Sequence, residues 1–494
     1  MTDPSRIPVI AGIGEVIDRE NSKEPRALIV EAARAAGAEA PGLLQRVDSL
    51  DVVSIVSWRY ADIAGVVAAE LGATPRRAGE SSPGGEKPIR LLGEAAQRIA
   101  EGQSEVALIC GGEATRTRAK SVQAGQALDW GPTDADAKPI TGLDFVTPHA
   151  ARYGLIRPPQ IYPLYENVTR HVWGQTQAEA DRESATLWSR YSEAAAANPY
   201  AWLGRVYAPE EIESEANGNR LIAFPYRKLM VANPMVNQGA AILVTSLAAA
   251  RAAGIDESQL VYIWGGARAN EPADFLARDS YERSAAQDAV LATTLAQNEV
   301  SADEIDLLEF YSCFPTVPKM ARRTLGLGED FRPSVTGGLT FFGGPANDFM
   351  THAVAAAVRA IRARQGRTAL LYGQGEFVTK HAAVLLGDRP YPRSVTMTDV
   401  QPAADAAMAP APALLEDYDG PCVIESFTIV YDREGQPIHA PVVARTPAGE
   451  RVVAQVKGED EAVIGFVSDP GRDPIGAAGR IAPGTDGLLH FTLS

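Results

Sequence analysis

The chain has 494 residues, with 46 lysines and arginines against 62 aspartates and glutamates, a net charge of −16. That balance argues against a dedicated nucleic-acid binder, which needs a basic surface to neutralise phosphates. No apolar run approaches the roughly 18 residues of a membrane span. Met1–Gly14 shows no secretory pattern, and Cys110, Cys313 and Cys422 lie too far apart for a zinc cluster or a disulfide framework. A cytoplasmic α/β protein is expected, with about three domains at roughly 150 residues each.

The opening alternates strand and helix. Pro8 to Ile13 is apolar and runs into Gly12 and Gly14, and Pro25 starts a helix that Gly37 closes. Asp51 to Ile55 reads as a second strand. Ile89 to Ala100 places Leu92, Ala95, Ala96 and Ile99 on one helical face, and the strand Val106 to Cys110 follows. From about 115 to 235 the rhythm is lost. Tyr162, Tyr165, Trp173, Trp188, Tyr191 and Trp202 stand in a segment best read as a mostly helical insertion. Alternation resumes with strands at Ala240 to Val244, Leu260 to Trp264, Asp306 to Phe310 and Ala369 to Tyr372.

Val400 to Ala413 is mostly Ala, Pro and Asp and reads as a linker. Beyond it the period becomes two. Val423, Glu425, Phe427, Ile429 and Tyr431 alternate with their neighbours, and Val442 to Arg445, Val452 to Val456 and Val463 to Val467 follow as strands. This predicts an all-β barrel module. The expected boundaries are 1–257 and 258–390 for two α/β halves, 391–415 for the linker and 416–494 for the module.

The two halves carry a repeat. Ala107-Leu108-Ile109-Cys110-Gly111 matches Ala369-Leu370-Leu371-Tyr372-Gly373. Each copy follows an Ala-rich helix (with Ile99 and Ile361 in register), and each helix follows a glycine pair, Gly84-Gly85 and Gly343-Gly344. Loops of this kind expose N–H groups at a helix start and favour an anion or a thiolate. Two of them facing each other make a central cleft.

Duplicated halves, a helical insertion and these loops resemble the thiolase superfamily. The likeness rests on Pro225–Leu229 with Asn237–Ala241, on Leu307–Phe314, on Gly337-Gly338 through Phe342-Gly343-Gly344-Pro345, and on Ala369–Gly375. With the appended β-module, the chain most resembles thiolase-like protein type 1, whose extra domain is OB-like. The resemblance implies a thiolase fold and a coenzyme A thioester as ligand, in a monomer or homodimer.

It does not imply thiolase chemistry. The acyl-accepting cysteine matches Gly85, the activating histidine matches Gly344, the second cysteine matches Ala369 and the oxyanion-hole Asn or His matches Tyr311. Transfer through a cysteine acyl intermediate is not expected. The remaining catalytic candidates are His352, His381, Tyr311 and Cys313. Gly84, Gly85, Gly343, Gly344, Asn347 and Gly375 are candidates for substrate binding. Three readings stay open: an enzyme of C–C bond chemistry on CoA thioesters, a thiolase with its nucleophile relocated to Cys313, and a non-catalytic thioester-binding or complex-forming protein. Nucleotide fingerprints are missing: Gly12-Ile13-Gly14 lacks the third glycine, and metal ligands do not cluster.

Overall fold

The computed structural model describes residues 3–133, 138–391 and 395–494. Parts of the expected insertion (134–137) and linker (392–394) therefore lie outside the described residues. The first half contributes strands β1 (Pro8–Ile17), β2 (Ser49–Val52), β3 (Arg77–Glu80), β4 (Val106–Ala114) and β5 (Asn237–Ser246). The second contributes β6 (Val261–Asn270), β7 (Leu307–Phe310), β8 (Thr368–Gly375), β9 (Lys380–Gly387) and β10 (Met397–Asp399). They form one sheet in the order β3-β2-β4-β5-β1-β6-β9-β8-β7, with β10 on β6.

The order makes the sequence repeat visible. β4 runs parallel to β2 and antiparallel to β5. β8 runs parallel to β7 and antiparallel to β9. The halves meet where β1 pairs with β6 through only Val9↔Tyr262 and Ile10↔Val261. The helices before the repeated strands, α1 (Lys87–Glu101) and α2 (Phe349–Arg362), pack on each other and on the sheet. Leu92, Ala95, Ala96 and Ile99 of the first, and Ala353, Val354, Ala357 and Val358 of the second, are fully or almost fully buried. Alanine on the facing surfaces lets the helices approach closely, and each buried Leu or Ile adds about 1.5–3 kcal/mol. Gly102 ends the first helix in the left-handed conformation (φ 72°), returning its N–H to the Ile99 carbonyl.

The insertion is largely helical. Its main elements are α3 (Pro158–Val172) and α4 (Gln177–Ala197), and it also holds a short hairpin, Leu221–Ala223 with Tyr226–Arg227. The segment read as linker is partly ordered into the body. Met397–Asp399 pairs with β6, Gln401–Ala407 is a helix, and Ala404 is fully buried. Composition suggested a tether here, but Met397 and Val400 anchor the chain against the body's core.

The C-terminal module is a closed barrel of β11 (Gly420–Phe427), β12 (Pro437–Arg445), β13 (Arg451–Lys457), β14 (Ala478–Pro483) and β15 (Leu489–Leu493), ordered 11-12-13-15-14 and back to 11. The parallel contact is between β13 and β15 (Gln455↔His490). This is the five-stranded layout of an OB-like barrel. One expected strand is a helix instead. Val463 to Val467 lies in α5 (Glu461–Ser468), which is capped by Asp460 accepting from the Val463 N–H at 3.1 Å. Val463, Ile464 and Val467 are the buried positions, a helical spacing that a short apolar run conceals.

The barrel docks on the insertion. The Ser426 hydroxyl donates to the Leu164 carbonyl (2.7 Å), and the Asn167 amide donates to the Phe427 carbonyl (2.8 Å). Val430 pairs with Ala223, so the barrel's sheet continues into the hairpin. Among the described residues, no helix is long and apolar enough to cross a membrane.

Candidate functional site

The glycine loops of the two halves converge on a cavity of about 540 Å³. Gly84, Gly85, Gly344, Asn347, Tyr311 and Cys313 line it, with an apolar wall that includes Phe145, Pro158, Phe314, Leu339 and Phe377. Six of the ten residues singled out from sequence thus meet at one place. Gly343 and Gly375 stand just behind the lining. A Cβ on Gly343 would meet the Gln238 side chain at 2.7 Å, and one on Gly375 would meet Glu86 Oε2 at 2.1 Å.

Neither histidine reaches the cavity. His352 is fully buried, and its Nδ1 contacts Glu15 Oε1 at 2.6 Å. Its Nε2 lies 3.7 Å from Asp348 Oδ2. His381 sits within the sheet, between the Tyr372 hydroxyl (2.7 Å) and the Val378 carbonyl (3.1 Å). Burial, reinforced by the Arg278 cation, holds its pKa down to about 3. Both lie away from the cavity, in buried hydrogen-bonded settings. Chain proximity to a glycine loop did not fix the face on which either side chain emerges.

Gly85 is kept free by its neighbours. A Cβ there would sit 2.5 Å from the Gln374 carbonyl and 2.5 Å from the Tyr311 hydroxyl. The Tyr311 phenol therefore fills the space that a side chain at 85 would need. No hydrogen-bond partner of that hydroxyl is found among the described residues, and its ring rests edge-on against Phe349 (5.9 Å). Gly344 differs, since a Cβ there meets nothing nearer than 3.4 Å. Ala369, matched to the second cysteine, lies at the buried far end of β8, paired with Leu307 and Leu386. The residue of that strand beside Gly85 is Gln374.

Among the described residues, no histidine partners Cys313. Its thiol donates to Gln374 Oε1 at 3.7 Å, and burial pushes its pKa up to about 12. A thiol held protonated is a poor nucleophile. All three cysteines are buried and free. Native protein at pH 8 will therefore resist iodoacetamide at Cys313, followed by mass spectrometry of its peptide; labelling within minutes would restore the relocated-nucleophile reading.

Sequence reasoning singled out Asn347 but not Tyr162, Gln374 or Glu376, which complete a polar frame at the cavity. The Tyr162 hydroxyl lies 2.8 Å from Gln374 Oε1 and 2.6 Å from the Glu376 carbonyl, and its ring stacks on Phe314 at 4.5 Å. Asn347 bridges the halves, accepting from the Gly84 N–H (2.9 Å) and donating to the Ser54 carbonyl (3.0 Å). Glu376 lines the cavity and is ion-paired with Lys380, which also donates to the Pro83 carbonyl at 3.2 Å. The repeat itself matches Glu376 to Glu113 after the paired strands, whereas Gln374 carries no signal of its own.

A second cavity of about 620 Å³ shares the wall Val231, Ala232 and Pro234 with the first. It holds Arg116, Arg205, Lys228, Trp202 and Tyr207, against Glu211 as the one carboxylate. Arg205 lies over Tyr207 at 3.8 Å and pairs with Glu211 at 2.9 Å. In a chain of net charge −16 this is a locally basic, aromatic concavity. No cluster of potential metal ligands occurs among the described residues.

Two mirrored strand-helix halves, a helical insertion and a cleft between glycine loops define a thiolase-superfamily fold. Residues 399–486 match the additional C-terminal domain of thiolase-like protein type 1. The whole chain is similar to a monomeric SCP2-thiolase-like protein type 1 from Mycobacterium smegmatis, at 29% identity and TM-score 0.84 over 100% of both chains. Its body is similar to the Ltp2–ChsH2(DUF35) aldolase (21% identity, TM-score 0.61, 78% of this chain and 99% of that one). It is similar also to human mitochondrial 3-ketoacyl-CoA thiolase (14% identity, TM-score 0.59, 78% and 100%). No curated protein sequence matches significantly. Fold and appended domain together are those of thiolase-like protein type 1.

Proposed function

We propose that this protein binds a coenzyme A thioester, with the acyl and thioester end in the glycine-lined cavity and the phosphorylated end in the basic concavity beside it. The observation that carries this reading is the adjacency of the two cavities across one shared wall, Val231 to Pro234. An apolar chamber suits an acyl chain, while cations and aromatic rings suit phosphate and adenine. A solved human thiolase of the same fold holds coenzyme A, at 16% identity.

We propose further that any chemistry proceeds without a covalent acyl-enzyme. Position 85 carries no side chain, and Tyr311 presents a phenol to the cavity, a hydrogen-bond donor suited to a thioester carbonyl as it gains charge. Retro-Claisen or aldol cleavage of a β-oxoacyl or β-hydroxyacyl thioester fits that equipment. The buried, neutral state of Cys313 and the absence of histidine from the cavity lining favour a second reading, a thioester-binding protein with no turnover.

Following thioester absorbance over a panel of β-oxoacyl- and β-hydroxyacyl-CoAs separates the two. Turnover that falls at least tenfold in Tyr311→Phe supports the first reading. Saturable binding without turnover supports the second, and failure to bind any CoA species removes both.

A further inference from the structure

We propose that the seam between the barrel and the insertion is an acid-sensitive latch, released when His149 and His439 take up protons. The proposal is independent of the cavity's ligand and of any chemistry there.

The insertion's side of the seam is the short helix Pro148–Arg152 and the turn after it. Arg152 donates to the Gly487 carbonyl (2.6 Å), and the Leu489 N–H donates to the Tyr153 hydroxyl (3.3 Å), so this turn is tied to the last hairpin of the barrel. Gly154 takes the left-handed conformation (φ 75°). A Cβ there would meet Nε2 of His439, on β12, at 2.6 Å, which places that imidazole against the turn's backbone.

Both imidazoles are buried without hydrogen bonds. Among the described residues, neither ring nitrogen of His149 has a partner, and His439 Nε2 has none. His149 is only 6% exposed, and its ring meets Tyr153 edge-on at 5.3 Å. A neutral imidazole in such a place forfeits its hydrogen bonds to water, and a charged one forfeits far more. An apolar ring would pack equally well without that penalty. What histidine adds is a seam that depends on pH.

Glu416 and Asp274 favour a charged ring at 149 and Arg152 opposes it, but burial outweighs all three and holds the His149 pKa below the ordinary value. Glu416 directly follows Leu414–Leu415, a strand laid on β13. Burial alone holds the His439 pKa down. Its strand neighbours are Val430 and Lys457, and a lysine gives a protonated ring no relief. One contact across the same interface runs the other way. His171 lies 2.5 Å from Asp473, beside Arg170 at 2.7 Å, and a proton there completes an ion pair. His171 is 45% exposed, so solvent screens that gain.

With the seam open, each ring is hydrated and titrates near the ordinary value of about 6.5. The open state then binds protons that the closed state refuses, so the seam is firm above that pH and weakens as pH falls through it. Going from pH 7 to pH 5.5 raises the opening constant about eightfold per histidine, and up to about 70-fold for both. Arg157, Pro158, Pro159 and Tyr162, which line the cavity, follow the seam directly along the chain. Acid release therefore loosens one wall of the cavity.

Hydrogen–deuterium exchange of the full chain tests this. It is read by mass spectrometry over residues 148–156 and 487–493 at pH 7 and pH 5.5, and corrected for the intrinsic pH dependence of amide exchange. In wild-type protein, seam opening is expected to rise at least tenfold on acidification, while α1 and α2 change less than about twofold. The double variant His149→Phe with His439→Phe is expected to be no less protected at pH 7 and to rise less than about threefold. An acid-insensitive wild-type seam overturns the proposal, and so does an equal acid response in the double variant. NMR titration of histidine-labelled wild-type protein decides the matter should the double variant not fold. Both seam rings are expected to stay neutral for as long as the seam amides stay protected. A seam histidine that titrates near pH 6.5 in the closed protein overturns the proposal.

Discussion

Gly85→Cys, which would place a thiol where working thiolases carry one, is expected to yield a destabilised protein that acetyl-CoA does not acylate. The backbone at 85 is open to any residue, because its φ is not in the left-handed region, so space alone decides. The new Cβ would meet the Gln374 carbonyl and the Tyr311 hydroxyl at 2.5 Å each. Gln374 cannot retreat easily, because it is paired with His381 across β8 and β9. Overpacking of this kind costs about 1–3 kcal/mol. Tyr311 lines the cavity, so displacing it would alter the ligand's space. Gly85→Ala should show the same loss of stability without the thiol, and Tyr311→Phe in the same chain should recover part of it. Denaturation curves measure the first effect and intact mass after acetyl-CoA treatment the second. Wild-type stability together with an added acetyl group in Gly85→Cys would show that the site is an intact thiolase pocket lacking only that side chain.

Arg451→Met is expected to loosen the barrel from the body, at a cost of about 3–5 kcal/mol. The Arg451 side chain has no exposed surface. It donates to the Leu276 carbonyl (2.5 Å) and the Arg278 carbonyl (2.7 Å) of the body, and holds both oxygens of Glu425 at 2.9 and 2.6 Å within the barrel. Its guanidinium also lies 4.9 Å from the Tyr281 ring centre. Methionine fills much of the volume but leaves two buried carbonyls without donors and leaves Glu425 with Arg445 alone (2.6 Å). The barrel also braces α3, which supplies Pro158 and Tyr162 to the cavity. An early unfolding transition and faster proteolysis between 408 and 413 are therefore expected, with weaker ligand binding. Unfolding and cleavage identical to wild type would mean that Arg451 does not organise this interface.

Strands at Ala107–Gly111 and Ala369–Gly373 were legible because β-strands buried on both faces leave continuous apolar runs, and the glycine pairs before their helices were legible for the same local reason. The barrel was legible from its period of two, although Val463 to Val467 was too short a run for period to separate helix from strand. The linker misled because Ala and Pro composition says nothing about the two residues, Met397 and Val400, that anchor it. Tyr311 and Cys313 line the cavity because they follow directly on a strand that runs toward the cleft. His352 and His381 lie away from the cavity, because a residue's distance along the chain from a glycine loop does not determine its direction. Gln374 and Tyr162 were invisible for a deeper reason. Their roles arise where residues 212 positions apart come together, as when the Tyr162 hydroxyl meets Gln374 Oε1.

Calorimetric titration of acetyl-CoA into wild-type protein and into Ala232→Trp tests the central claim most directly, because Ala232 lies in the wall common to both cavities. The account predicts saturable one-to-one binding to wild type and at least tenfold weaker binding to a folded Ala232→Trp. Equal affinity for both proteins, or no binding by wild type, would contradict it.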